Sequence, residues 1–210
     1  MSDLLDVRVI EGNTLNGNTK AQPKSDKKEK EIFKISEARG LSRELAPIFD
    51  ANNDGIITND EYIPLLDAQN NYMEEGFCDL NDGNVYPLIR VGNVGMNPKE
   101  VKKLSYNAKD NMTTVEFNNG MKVTYPDQNG GFLRAKSKEL DVDGFLNVKG
   151  ITVYGTNNDD IINVRYSYVK LINSGAGADN IELSNVNKAQ NGGVVITSEK
   201  GNCNQEEISF

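Results

Sequence analysis

The stretch Asp50-Ala51-Asn52-Asn53-Asp54-Gly55-Ile56-Ile57-Thr58-Asn59-Asp60-Glu61 decides how the rest of the chain is interpreted. Oxygen-bearing side chains stand at its first, third, fifth, ninth and twelfth positions, and a glycine stands at the sixth. A chain that turns sharply enough to gather such oxygens needs a residue without a Cβ at the turn, which Gly55 supplies. Calcium is a hard cation that takes roughly six to eight oxygen ligands. The stretch therefore predicts a cation-binding loop.

This pattern resembles the calcium loop of the EF-hand family at every constrained position, and the resemblance covers residues 36–73. It implies an ion held by side-chain oxygens, one backbone carbonyl and one carboxylate that binds through both oxygens. The implied ligands are Asp50, Asn52, Asp54, the carbonyl of Ile56, Thr58 through its hydroxyl or a water, and Glu61. Ile57 is expected to anchor the loop by a short β-like pairing. The alternative interpretation is an Asn/Asp/Gly-rich surface turn that binds nothing.

The flanking residues predict a helix on each side of the loop. A first helix opening near Ser36 and Glu37 carries one apolar stripe, formed by Leu41, Leu45, Ile48 and Phe49. Thr58 and Glu61 form a capping pair that starts the second helix. Pro47 and Pro64 each remove a helical hydrogen bond. We therefore expect short, stiff helices instead of the mobile pair of a calcium sensor.

Composition excludes several classes of function. The chain has 210 residues, a net charge of −8, and neither histidine nor tryptophan. An acidic chain has no basic patch with which to displace counterions from phosphate, which argues against nucleic-acid binding. The lack of histidine excludes Ser-His-Asp and Cys-His catalysis and histidine-ligated zinc. No apolar run approaches the roughly 20 residues of a membrane helix, and the first residues lack the features of a secretory signal.

The middle of the chain predicts antiparallel β-structure. Residues 102–106, 113–117 and 121–125 alternate polar and apolar, and Asn119-Gly120 is a hairpin signal. The segment 79–85 looks like a shortened copy of the calcium loop, and a plain turn is the favoured interpretation. Asp141 and Asp143 stand before Gly144 in a similar pattern, which leaves open a weak second calcium site or a turn feeding the next strand. Cys78 and Cys203 are either a disulfide or two small apolar residues.

The C-terminal third repeats a layout of turn, acid and alternating apolar residues at 155–164, 175–183 and 201–210. Such units cannot bury their apolar face alone and must stack on neighbours. The second unit is similar to the hemolysin-type (RTX-like) repeat, whose stacked turns bind calcium in a parallel β-roll. That resemblance implies a small β-solenoid or irregular sheet, with Asp159, Asp179 and Glu206 as candidate metal-binding acids, and whether they bind metal is left open. The acid-to-acid steps are 20 (159 to 179) and 27 (179 to 206) residues.

Together these patterns predict an α+β fold in four parts. They are a polar tail at 1–35, an EF-hand helix-loop-helix at 36–75, β-hairpins at 76–135 and a β-solenoid-like region at 136–210. The predicted function is non-enzymatic calcium binding, with the metal mainly structural and a protein or glycan partner on the β region. We expect a secreted or cell-surface protein, with the cytoplasm left open.

Three rival functions remain at this point. A glycan-active enzyme would need a groove with two carboxylates at a fixed separation. An adhesin would be supported by an exposed row that includes Tyr154, Tyr166 and Tyr168. A regulatory sensor would open its helix pair on binding calcium, against which Pro47 and Pro64 argue.

Overall fold

The computed structural model describes residues 8–11, 30–126, 130–144, 150–188, 194–199 and 207–209. The described residues are mostly β, with 50% strand and 15% helix. In chain order the described elements are β1 (Arg8–Glu11), β2 (Glu31–Lys34), a 3₁₀ turn (Ile35–Glu37), α1 (Leu41–Phe49), β3 (Ile56–Thr58), α2 (Asn59–Asn70), β4 (Met73–Cys78), β5 (Val85–Val91), β6 (Val94–Met96), β7 (Val101–Asn107), β8 (Met112–Phe117), β9 (Lys122–Pro126), β10 (Gly131–Lys136), β11 (Glu139–Asp143), β12 (Ile151–Tyr154), β13 (Ile161–Arg165), β14 (Tyr168–Gly175), β15 (Asn180–Ser184), β16 (Asn187–Lys188), β17 (Val195–Ser198) and β18 (Glu207–Ser209).

Both predicted helices are present and short. α1 has nine residues and contains Pro47, and α2 has twelve and contains Pro64. The predicted start of the first helix at Ser36 is wrong, because residues 35–37 form a separate 3₁₀ turn. Gly40, with a φ of 54°, lies in the left-handed region and separates that turn from α1. None of the described helices is long and apolar enough to cross a membrane.

The strands form two eight-stranded sheets and one small pair. The first sheet runs β1-β17-β14-β12-β9-β8-β7, with β16 on β14, and the second runs β18-β15-β13-β11-β10-β6-β5-β4. The predicted meander is confirmed, since β7, β8 and β9 pair antiparallel in sequence order. From β11 to β16 successive strands alternate between the two sheets; β17 is again in the first sheet and β18 in the second. The pairings among these strands within each sheet are parallel.

The predicted fold class, α+β with a C-terminal β-solenoid-like region, is wrong. The described C-terminal strands belong to the same two mixed sheets as the hairpin strands. β12 pairs antiparallel with β9, and β11 links β10 on one side to β13 on the other. The repeated strands therefore bury their apolar faces in a core shared with the hairpin strands, and no separate solenoid is found in the described part of the chain.

One continuous apolar cluster contains side chains from both sheets and both helices. Its fully buried members include Phe49, Leu65, Phe117, Leu133 and Ile162. α1 and α2 pack on each other, and both contact β7, the edge strand of the first sheet. α2 also contacts β5 of the second sheet. The helical hairpin thus covers the side of the molecule where β5 and β7 lie, which fixes the loop between the helices against the sheets.

Candidate metal centre

Residues 50–61 connect α1 to α2 through the short strand β3. β3 pairs antiparallel with β2, and Ile57 lies opposite Phe33 in that pair. Ile57 is fully buried. The anchoring role predicted for Ile57 is therefore confirmed, and the strand that pairs with it comes from the segment just before α1.

Asp50 closes the first half of the loop. Its side chain is 5% exposed, and its Oδ1 and Oδ2 accept hydrogen bonds from the amides of Asp54 (3.2 Å) and Gly55 (3.0 Å). Gly55 has a φ of 77°, in the left-handed region where a Cβ is unfavourable. The position at which the sequence requires glycine is thus the position at which the backbone turns.

Asn52 and Asp54 fold back onto the same turn. The Oδ1 of Asn52 accepts from the amide of Asp54 (3.0 Å), and its amide group donates to Oδ2 of Asp54 (3.0 Å). The Oδ1 of Asp54 accepts from the amide of Ile56 (2.8 Å). These side-chain oxygens therefore lie along the inner edge of one tight turn, held by its own backbone amides.

Glu61 joins the two ends of the loop. Its side chain is almost buried, and its Oε1 accepts from the amide of Ala51 (2.8 Å). Its Oε2 accepts from the amide and the hydroxyl of Thr58, both at 2.9 Å. The predicted capping box of α2 is confirmed. A single carboxylate therefore contacts the first turn of the loop and the start of the exit helix.

The loop carries negative charge, and no described lysine or arginine contacts its carboxylates. In the described part of the chain, the ion pairs involve none of the carboxylates of Asp50, Asp54 and Glu61. Lys103, on β7, does reach the loop, but it donates to the carbonyl of Asp50 and to Oδ1 of Asn53. Like charges in one loop repel, so a bound cation would relieve this repulsion.

The oxygen donors suit calcium in type and order, although three carboxylates do not converge on one point. Among the described residues, no group of three or more His, Cys, Asp or Glu side chains is placed to hold a metal ion. The three carboxylates do not converge because backbone amides hold each of them at a different part of the loop. Calcium would be shared among carboxylate, amide and carbonyl oxygens, as hard cations commonly are.

The shortened copy of the loop at residues 79–85 is the turn that the sequence favours, joining the antiparallel pair β4 and β5. Asp79 is buried and pairs with Arg134 and Lys136, and Asp82 lies 3.0 Å from Lys136. Hydrogen bonds from Arg134 and Lys136 hold the pKa of Asp79 well below its usual range. Protein cations already balance these acids, so this turn has no need of a metal ion.

Asp141 and Asp143 lie within β11, although the sequence places them before a turn. The Oδ1 of Asp141 accepts from the amide group of Asn163 (3.0 Å), and Asp143 lies 3.9 Å from Arg165. Both contacts reach across to β13, the parallel neighbour of β11. These acids therefore support strand pairing, and the remainder of their pattern at 145–149 is outside the described residues.

The repeat register in the C-terminal third differs from the predicted one by a single residue. Ile161 pairs with Asn180, so the residue level with Asp179 is Asp160, and the step is 19 (160 to 179). The amide of Asp160 donates to Oδ1 of Asp179 (3.0 Å), which links the two stacked turns. Burial raises the pKa of the Asp160 carboxyl. Sequence reasoning selected Asp159, whose Oδ1 accepts from the amide of Ala178 (2.9 Å).

The register of these strands could have been predicted by aligning the apolar residues that alternate along each of them. Ile162 and Val164 are buried in β13, and Ile181 and Leu183 are buried in β15, again 19 residues apart. Alignment on these inward-facing residues identifies Asp160, whereas alignment on the acids alone does not.

Several expectations lie outside the described residues or fail on geometry. Glu206 and Cys203 are outside them, whereas Cys78 is exposed. Tyr154 and Tyr166 are exposed, but the tyrosine row that would have supported the adhesin alternative is not formed. Tyr154 lies level with Asn173 at one end of β14, and Tyr168 begins that strand at the other. At ~3.3 Å per residue the two positions are about 16 Å apart.

Comparisons with known proteins add nothing to these residues. Neither a scan against family models nor searches of curated proteins and solved structures found a match to this chain. The support for a metal centre therefore comes from the chain's own sequence and geometry.

Proposed function

We propose that this chain is a calcium-binding protein in which residues 50–61 hold one ion. The ligands are Asp50, Asn52, Asp54, the carbonyl of Ile56, Thr58 and Glu61. The observation that carries the proposal is a tight loop, closed at both ends by one glutamate, whose three ligand carboxylates form no ion pair with any described residue. No described lysine or arginine is directed at the carboxylates of this loop. Calcium supplies that missing positive charge.

The role of the ion is structural in this proposal, and the contacts around the helices support that role. Gln69 of α2 donates to the hydroxyl of Ser42 of α1 (2.5 Å), which ties the helices together. Lys103 ties the loop to β7, and the β2–β3 pair ties it to the segment before α1. A sensor must open its helix pair on binding calcium, and opening would break the hydrogen bond between Gln69 and Ser42.

A loop with three acidic ligands is expected to bind calcium weakly, with a dissociation constant on the order of 10⁻⁵ to 10⁻³ M. Such a site fills only where calcium is abundant, so the proposal includes a secreted or cell-surface protein acting as a binding or scaffold module. An ion that binds only the folded state stabilises it by mass action. The ion would therefore protect the fold in a calcium-rich setting.

Isothermal titration of the chelator-treated chain with calcium and with magnesium tests the proposal. We expect one calcium site in the range above and weaker magnesium binding, because magnesium demands a stricter geometry. Asp54→Asn should weaken calcium binding about tenfold, since it removes a charged ligand. Asp60→Asn, which removes the same charge at a position that the pattern leaves unconstrained, is the matched control and should bind within about twofold of wild type.

Absence of calcium heat at millimolar ion, together with equal melting temperatures in calcium and in chelator, would refute the proposal. Equal weakening by Asp54→Asn and Asp60→Asn would show only a diffuse attraction of cations to an acidic chain.

A further inference from the structure

A second candidate site lies beside α2 and includes none of the proposed calcium ligands. A cavity of about 560 Å³ lies between α2, the turn at Gly92 and the ends of β7 and β8. Its size is within the range of roughly 300–1,000 Å³ that small-molecule sites occupy. Nothing in the proposed calcium function uses this cavity.

The lining of the cavity includes a threonine whose buried hydroxyl has no hydrogen-bond partner among the described residues. Thr113 is on the inward face of β8, beside Val115, and is fully buried. Its Oγ1 forms no hydrogen bond with any described group. A buried polar group left unpaired destabilises the folded state. Thr113 lines the cavity, but its Oγ1 has almost no accessible surface, so a ligand with a hydroxyl or carbonyl group satisfies this atom when the cavity wall shifts to admit it.

The charge of the cavity selects against anions. Asp67 lines the wall. Its Oδ2 accepts a hydrogen bond from the backbone amide of Gly92 (2.5 Å), and its Oδ1 accepts one from the side-chain amide of Asn71 (2.9 Å). Among the described residues, Asp67 takes part in no ion pair, and no lysine or arginine lines the cavity. A carboxylate on a partly apolar wall is complemented by a cation, and the acidic chain as a whole attracts cations.

The remaining lining suits a flat apolar body. Ile63 and Leu66 are 50% and 39% exposed on α2, so a ligand would remove apolar surface from water. The hydroxyl of Tyr106 donates to Oδ1 of Asn111 (2.8 Å), which fixes its ring at the cavity edge. Tyrosine rings attract ammonium groups through their faces.

We propose that this cavity binds a compact organic cation, namely a primary alkylammonium joined by a short chain to an aromatic ring that carries a polar substituent. The ammonium pairs with Asp67, the ring packs on Leu66 and Tyr106, and the polar end hydrogen-bonds to Thr113. The site shares α2 with the calcium loop but uses none of the calcium ligands. Binding therefore persists in chelator, so its failure and the failure of calcium binding can be distinguished.

Three probes of similar shape test the proposal by NMR titration of the full chain in chelator. Tyramine carries an ammonium, 4-ethylphenol is neutral, and 3-(4-hydroxyphenyl)propanoate carries a carboxylate. We expect tyramine to bind with a dissociation constant of about 1 mM or tighter and to shift the amide signals of Asp67 and Gly92. The neutral probe should bind about tenfold more weakly, and the carboxylate should not bind at about 10 mM.

Two variants separate the contributions. Asp67→Asn should weaken tyramine about tenfold and leave 4-ethylphenol unchanged, whereas Glu182→Gln, an exposed acid on β15, should change neither. Thr113→Val has nearly the same shape, so it should fold, melt no lower than wild type because it removes an unpaired hydroxyl, and weaken both phenols. The proposal is overturned if tyramine shifts no signal near the cavity, if the carboxylate probe binds as well as tyramine, or if Asp67→Asn leaves tyramine affinity unchanged.

Discussion

Replacement of Glu61 by glutamine separates the structural role of this side chain from its role as a calcium ligand. In the absence of metal, the carboxylate accepts three hydrogen bonds, from the Ala51 amide and from the amide and hydroxyl of Thr58. Glutamine has one accepting oxygen, and its NH₂ group faces a donor whichever way it is turned. One or two hydrogen bonds are lost, so we expect Glu61→Gln to lower the free energy of unfolding by about 1–3 kcal/mol in chelator.

With calcium the difference should grow. At a calcium concentration of 100 times the dissociation constant, the ion stabilises the wild-type fold by about 2.7 kcal/mol. For a chain of this size, each kcal/mol corresponds to about 2–4 °C in Tm, so the calcium-dependent rise is about 5–11 °C. Glu61→Gln removes the carboxylate that is expected to bind through both oxygens. It should therefore retain only a minor part of that rise.

Thermal melts of wild type and Glu61→Gln, each in chelator and in about 10 mM calcium, measure both effects. Glu44→Gln is the matched control, because Glu44 is exposed on α1 outside the loop. It should shift Tm by no more than about 2 °C in either buffer. Equal calcium-dependent rises in wild type and Glu61→Gln would place the ion elsewhere. An unchanged Tm in chelator would contradict the hydrogen bonds assigned to Glu61.

Three further substitutions test the core, the stacked turns and the buried acid. Phe49→Ala removes a fully buried ring and should cost about 3–5 kcal/mol in urea denaturation. Gly175→Ala, at a φ of 87°, drives a Cβ into the carbonyl oxygen of Thr156 and should lower Tm far more than Gly83→Ala, which at a φ of 70° has open space around it. Burial raises the pKa of Asp160, so the folded protein keeps this proton at pH values where the unfolded chain has lost it. The contribution of Asp160 to the free energy of unfolding should therefore fall as pH rises from about 4. Thermal melts between about pH 4 and pH 7 should show a smaller decrease in Tm for Asp160→Asn than for wild type.

The loop was predictable because its determinants are local. The spacing of Asp50, Gly55 and Glu61 is read within one short stretch, and the positive φ of Gly55 and the capping by Glu61 follow from it. The start of α1 was missed because Ser36 and Glu37 have the chemistry of a helix start, yet the backbone at Gly40 breaks the helix before Leu41. The signal available in the sequence was Gly40, because a glycine within a helical pattern weakens the helix at that point.

The arrangement of the sheets was not predictable, because it depends on pairings between distant residues. The turn-and-strand repeats correctly indicate stacked strands, but nothing in them shows that β12 pairs with β9 of the hairpin region. The cavity illustrates the same limit. Asp67, Gly92 and Thr113 come from a helix, a turn and a strand that no sequence pattern connects.

α2 links the two proposed sites physically. Glu61 lies in its first turn and Asp67 lies about a turn and a half further on, since an α-helix has ~3.6 residues per turn. The ring of Tyr62, which also lines the cavity, meets Phe33 of β2 edge-on at 6.2 Å, and Phe33 pairs with Ile57 of the loop. The segment that anchors the loop therefore also supports the cavity wall.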